Sequence, residues 1–279
     1  MNGCPDDKGC LLYKPGLYTN PIWVKSNTAI FAPGIYYMKV TTPKNSTSGA
    51  PGTGCIPNVS GQSRYSVDLD SNSVVRPASN NAPGSDGTHG VMFYLSGTAA
   101  GNYASVNIDS NSGKPPGGHT IDNYTTSNLI CPGASAPPAQ IALPSTVAGN
   151  VLMGQCTTGG TYIGTGSTDT AGSIPGIIFF QDRANADSNG QSNTQAGGGL
   201  VLAGNMYFHN CNAAGTGTNC SRPSAGYKAF FSMQGNPGNT SYVLGNITAD
   251  QLVLGGGGTI AMSLNPTAVY NILKASLLQ

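Results

Sequence analysis

The sequence predicts an all-β chain, read most simply as a right-handed parallel β-helix with irregular coils and long loops. Three observations carry this. None of the 279 residues is Glu, all 11 acidic side chains are Asp, and charged residues are only 8% of the chain. Amphipathic helices need solvated helix formers such as Glu, Lys and Arg on their outer faces, and this chain has few. Second, short apolar bursts alternate with stretches of Gly, Asn, Ser, Thr and Pro, the pattern of strands bounded by turns. Third, several bursts run into Gly-Asn or Gly-Gly, residues that reach left-handed backbone conformations cheaply and so suit sharp corners.

In chain order the predicted strands are Ile22–Val24, Ala29–Phe31, Ile35–Met38, Val91–Leu95 and Val106–Ile108. Ile141–Leu143, Val151–Met153, Ile177–Phe180, Leu200–Leu202 and Met206–Phe208 follow, then Tyr242–Leu244, Gln251–Leu254 and Thr259–Met262. Each is strand length and rich in β-branched or aromatic residues. In the last third a rhythm emerges: Leu200–Leu202 precedes Gly204-Asn205, Tyr242–Leu244 precedes Gly245-Asn246, and Leu252–Leu254 precedes Gly255–Gly258. Stacked Asn side chains extend hydrogen-bond ladders between layers. The period is irregular, with no clean hexapeptide or nonapeptide repeat. A β-sandwich or jelly roll with long loops is the alternative.

The whole chain, 1–279, reads as one β-solenoid domain. Stretches near 41–63, 76–88 and 111–138 are dense in Pro, Gly, Ser and Asn and read as insertions, where binding would reside. One helix is expected, over 266–278. Asn265-Pro266 supplies an N-cap and a first-turn Pro, and Ala268, Val269, Ile272, Leu273 and Leu277 recur at helical spacing. Such a helix closes the open end of a stack of strands.

The net charge of +1 and the scattered basic residues argue against nucleic-acid binding. The seven cysteines at 4, 10, 55, 131, 156, 211 and 220 contain no Cys-x-x-Cys pair, which argues against structural zinc. Cys4 with Cys10, and Cys211 with Cys220, each enclose a short loop and are the disulfide candidates. Disulfides imply an oxidising compartment, so an extracytoplasmic location is expected.

No motif points to catalysis. Asp169-Thr170-Ala171-Gly172 departs from Asp-Thr-Gly and has no second copy for a carboxylate dyad. The run Gly255–Gly258 lacks the Lys of a phosphate loop and reads as a corner. His89, His119 and His209 stand far apart and read as surface or loop histidines. Asp68-Leu69-Asp70-Ser71-Asn72 alternates oxygen ligands, and Asp187-Ser188-Asn189-Gly190 is a shorter echo. Calcium is the cation they would take, but ordinary Asx turns account for them more simply. No cofactor is otherwise expected. Asp182-Arg183, ending an apolar strand, reads as a local ion pair or as part of a polysaccharide-cleaving face. Tyr36, Tyr37, Tyr94 and Tyr103 are candidate sugar-stacking residues.

Phe31-Ala-Pro-Gly-Ile-Tyr-Tyr37 and Gly176-Ile-Ile-Phe-Phe-Gln-Asp-Arg183 resemble signatures of the C-terminal exported region of bacterial TadG-like proteins, associated with Tad (Flp) pilus assembly. Leu202–Phe208 and Asp250–Gly255 resemble later strands of that region, in the same order. The resemblance implies an exported β-rich ectodomain, pilus or other surface proteins as partners, and membrane contact only through an anchor segment absent from this sequence. It implies no catalytic residues. The expectation is therefore a non-catalytic structural, assembly or adhesion module outside the cytoplasm. The alternatives are a carbohydrate-active β-helix enzyme, either a polysaccharide lyase or a hydrolase, and a glycan-binding module.

Overall fold

The structure, a computed structural model, describes residues 6, 8–32, 34–39, 65–69, 73–77, 91–96, 104–110, 151–154, 177–182, 191–196, 200–203, 205–209, 230–235, 241–244, 247–256 and 260–263. These residues form strands and their margins, with no helix among them. The strands are β1 (Leu11–Tyr13), β2 (Gly16–Tyr18), β3 (Ile22–Val24), β4 (Thr28–Phe31), β5 (Gly34–Lys39), β6 (Val67–Leu69) and β7 (Val74–Pro77). Next come β8 (Val91–Ser96), β9 (Val106–Ser110), β10 (Val151–Gly154), β11 (Ile177–Gln181), β12 (Gln191–Ala196) and β13 (Leu200–Ala203). The last are β14 (Asn205–Phe208), β15 (Phe230–Gly235), β16 (Ser241–Leu244), β17 (Ile247–Ala249), β18 (Gln251–Gly256) and β19 (Ile260–Ser263).

Three sheets result, and the chain visits them in rotation. One has the order β1-β4-β7-β10-β13-β16-β19, the second β17-β14-β11-β8-β5-β2, and the third β18-β15-β12-β9-β6-β3. Every pairing among the described residues is parallel. An antiparallel sandwich or jelly roll would require the opposite. Each round of three strands thus lies on the round before it, with paired strands roughly 4.8 Å apart.

Alternation along each strand sends every second side chain into the interior. In the second sheet Tyr36, Phe93 and Phe179 share one inward row. Their rings form a continuous stack: Tyr36–Phe93 at 5.1 Å, Phe93–Phe179 at 5.4 Å, Phe179–Phe208 at 6.4 Å and Phe208–Phe231 at 4.6 Å. Phe31 adds edge contacts to Tyr36 and Phe93, and Tyr13 stacks on Phe31. Val24, Val67, Leu69, Val106 and Ile108 fill the interior from the third sheet, all fully buried. A register shift in β11 between Ile177 and Phe179 acts as a bulge, which lets Ile178 and Phe179, though consecutive, both join the core.

Several buried polar groups near the first strands have partners, whereas Trp23 Nε1 and Ser73 Oγ make no hydrogen bond. The Tyr36 hydroxyl lies 2.9 Å from Tyr13 O and 2.8 Å from Ala32 O. Thr28 Oγ1 donates to Asp6 Oδ2 at 2.5 Å, and Lys8 N donates to Asp6 Oδ1 at 2.9 Å. Gly34 opens β5 at φ 134°, a region that strains other residues. A Cβ there would sit 2.6 Å from Pro15 Cβ, so the crossing of the two chain segments requires glycine.

Most predicted strands fall where expected, with two corrections. Arg76 and Pro77, placed in an insertion by their composition, belong to β7. Gly255 and Gly256, read as a corner, pair in register with Gln234 and Gly235 as part of β18. In both cases strand pairing overrides a turn-like composition. Ile141–Leu143, the helix at 266–278 and the insertions at 41–63, 78–88 and 111–138 lie outside the described residues.

Replacing Phe93 by Ala removes the middle of the ring stack and should cost about 3–5 kcal/mol in denaturant unfolding. Leu17→Ser, at an exposed position of β2, should change stability by no more than about 0.5 kcal/mol. Gly34→Ala should destabilise by more than about 1 kcal/mol, because both the backbone angle and Pro15 oppose a methyl group.

Candidate functional site

The outer face of the second sheet carries the densest side-chain chemistry among the described residues. Register aligns Leu17, Tyr37, Tyr94, Phe180, Tyr207 and Thr248 in one outward row. Four of these are aromatic, and they stack in sequence. Ring centroids are 4.9 Å apart for Tyr37–Tyr94, 5.4 Å for Tyr94–Phe180 and 5.0 Å for Phe180–Tyr207, with planes within 26°. Parallel in-register strands produce this geometry directly, because the strand spacing is close to the spacing of stacked rings.

Two residues after each member from Tyr37 to Thr248 comes a polar side chain on the same face: Lys39, Ser96, Asp182, His209 and Asp250. The two rows bond to each other. The Tyr37 hydroxyl donates to Ser96 Oγ at 3.2 Å, and the Tyr94 hydroxyl donates to Asp182 Oδ2 at 3.1 Å. His209 packs its ring edge-on to Tyr207 at 5.9 Å, and its Nδ1–H donates to Asp250 Oδ1. The Asp250 side chain is 5% exposed and that of His209 19%, so the pair sits largely out of water. It ties β14 to β17, reinforced by Asp250 N donating to Phe208 O at 3.1 Å.

Burial and the Asp182 carboxylate disfavour the phenolate of Tyr94, whose pKa is pushed up to about 12. Burial is the larger cause, and the Asp182 charge, its hydrogen bond and Tyr37 follow. Tyr36, Tyr13 and Tyr18 are also raised, chiefly by burial.

The ring faces on this surface are turned toward one another. A sugar stacking on an aromatic side chain needs a free ring face, and here the interior of the row offers ring edges. Tyr36, a candidate sugar-stacking residue, is fully buried and belongs to the core instead. Strand alternation is the reason: Tyr36 and Tyr37 are neighbours in β5 and must point to opposite sides. Tyr103 lies outside the described residues. Asp182 accepts from Tyr94, while Arg183, its expected partner, lies outside them.

Other expected sites distribute as follows. Asp68 is 7% exposed and accepts from Asn107 Nδ2 at 2.8 Å. The backbone of Asn107 is in register with Asp68 on one side and with Asn193 on the other. Asp70, Ser71, Asn72 and residues 187–190 lie outside the described residues, as do His89, His119 and residues 169–172. Cys10 is disulfide-bonded. Cys4, Cys211 and Cys220 are not among the described residues, so the pairings Cys4–Cys10 and Cys211–Cys220 stand as proposals.

The sequence reading missed the Ser96 contact and the His209–Asp250 pair. A signal was present: Tyr37-Met-Lys39, Tyr94-Leu-Ser96, Phe180-Gln-Asp182 and Tyr207-Phe-His209 repeat the order outward aromatic, inward residue, polar residue. Irregular spacing along the chain hid it. Comparison with protein-family models, with curated proteins and with solved structures finds no match for the chain.

The raised Tyr94 pKa sets a pH dependence. Its folded value lies above the ordinary value of 10.0, so its contribution to stability is complete below pH 10 and is lost as pH rises toward about 12. Chemical denaturation across this range should show stability falling with pH. Tyr94→Phe should make the fall shallower and remove one late-titrating phenol from the alkaline absorbance. Asp250→Ala, which leaves His209 Nδ1 without its acceptor, should cost about 1–3 kcal/mol in the same assay at neutral pH.

Proposed function

We propose that the chain is a right-handed parallel β-helix serving as a non-catalytic structural, assembly or adhesion module outside the cytoplasm, of the TadG-like kind. The observation that carries this reading is the outer face of the second sheet. Its aromatic rings stack on one another, and its hydroxyls, carboxylates and imidazole bond within the face. Side chains used this way stiffen a rod. Three parallel sheets visited in rotation support the β-helix architecture. Insertions between strands would then project from the rod and meet partners, among them surface or pilus proteins and glycans. The disulfide at Cys10 and the charge-poor composition favour life in an oxidising compartment.

A second reading draws on the His209–Asp250 pair. A carboxylate holding imidazole Nδ1 leaves Nε2 as a proton acceptor, and Asp182 lies in the same row. That arrangement would suit acid–base cleavage of a polysaccharide.

Incubation of the purified chain with a panel of neutral and acidic polysaccharides separates the two. The structural reading predicts no release of reducing or unsaturated ends. Release that disappears in His209→Ala would establish the enzyme. Non-reducing mass spectrometry should find at least one disulfide in the exported protein, and seven free thiols would contradict the extracytoplasmic assignment.

A further inference from the structure

Within the outer row of the second sheet, two phenols are direct neighbours. Tyr37 on β5 and Tyr94 on β8 are in register, with ring centroids 4.9 Å apart and planes 9° apart. Both side chains are half-buried, so their ring edges meet solvent. Beyond them the row changes character. Phe180 covers the far face of Tyr94 at 5.4 Å, and Tyr207 packs against Phe180 and His209. Among the described residues Tyr18 and Tyr36 also stack, at 5.7 Å, but Tyr36 is fully buried with its hydroxyl against the Tyr13 and Ala32 carbonyls. The hydroxyls of Tyr37 and Tyr94 each reach an oxygen that accepts a proton. These are Ser96 Oγ at 3.2 Å and the Asp182 carboxylate at 3.1 Å.

We propose that Tyr37 and Tyr94 are an oxidative modification site, at which peroxide acting through a haem peroxidase couples the two rings into a dityrosine that staples β5 to β8. Each phenol gives one electron to the oxidant and releases its hydroxyl proton, that of Tyr94 passing to Asp182. The two phenoxyl radicals join through their ortho carbons, and one C–C bond forms. The hydrogens on those carbons then move to the oxygens and restore both phenols. The net loss is two electrons and two protons, which reduce one peroxide to two waters. Stacked rings do not bond through their faces. The outer torsion of a tyrosine side chain is soft, however, and turning both rings about it sets the ortho carbons edge to edge. Paired strands hold the two backbones only roughly 4.8 Å apart, so the rings need no backbone movement to meet. Phe180 has no phenol and ends the reaction at Tyr94. The staple closes the long stretch of chain between β5 and β8, which restricts the unfolded state as a disulfide does.

Treatment of the purified full chain with hydrogen peroxide and a haem peroxidase tests this. Dityrosine fluorescence should appear, and mass spectrometry of the digested protein should find the Tyr37 and Tyr94 peptides joined with the loss of two hydrogens. The yield should be the same at every protein concentration, because the link lies within one chain. Tyr37→Phe and Tyr94→Phe, which keep the ring stack, should each abolish that link. Oxidation should raise the denaturant midpoint of the unaltered protein and leave that of Tyr37→Phe where it was. Absence of the link under conditions that couple free tyrosine would overturn the proposal. So would links between chains, or between Tyr18 and Tyr36, as abundant as the one between Tyr37 and Tyr94.

Discussion

Parallel strands in register set each side chain over its counterpart in the round below. In this chain that constraint decides nearly everything else. An inward residue must tolerate an inward neighbour roughly 4.8 Å above and below it, and aromatic and β-branched side chains do so at close to contact distance. Tyr36, Phe93 and Phe179 stack because their strands pair, and Phe208 and Phe231 extend the stack. The reverse also holds. A slip of one residue would turn Phe93 outward and Tyr94 inward, placing a hydroxyl in the core and a bare ring in water. The ring stack therefore fixes the register, and the register fixes the surface.

On that surface the same rule acts on a different set of residues. Tyr37, Tyr94, Phe180 and Tyr207 align because their inward neighbours do. The bulge at Ile178 preserves this alignment across the one place where β11 slips against β14. The polar row beside them then has near partners at a fixed distance. Tyr94 with Asp182 and His209 with Asp250 use that proximity. The result is a surface organised by its own contacts, which is what a rigid, charge-poor exterior requires. Sheets of this kind leave free edges only at their ends, and it is there that exposed leucines appear.

Much of the strand content was legible in the sequence, because apolar bursts between Gly- and Asn-rich stretches leave little choice of element. Ile22–Val24, Val91–Leu95 and Ile177–Phe180 are examples. What composition concealed was pairing. Gln191–Ala196 contains no apolar burst, yet it forms β12, because β9 and β15 flank it and satisfy its backbone. Gly255 and Gly256 look like a corner and are held as strand for the same reason. The outer face was half legible: Tyr37 and Tyr94 were singled out, but Tyr36 was grouped with them despite the alternation that buries it. The His209–Asp250 pair joins residues far apart in sequence, and only the layering of β14 and β17 brings them together.

The central claim is that successive rounds of strands stack in parallel, in the order in which the chain makes them. Ring-proton contacts in a phenylalanine-labelled sample measure this directly by NMR. The account predicts contacts linking Phe31 to Phe93, Phe93 to Phe179, Phe179 to Phe208 and Phe208 to Phe231. Contacts that skip a member, such as Phe93 with Phe231, or the close Hα–Hα pairs of antiparallel strands between β8 and β11, would contradict it.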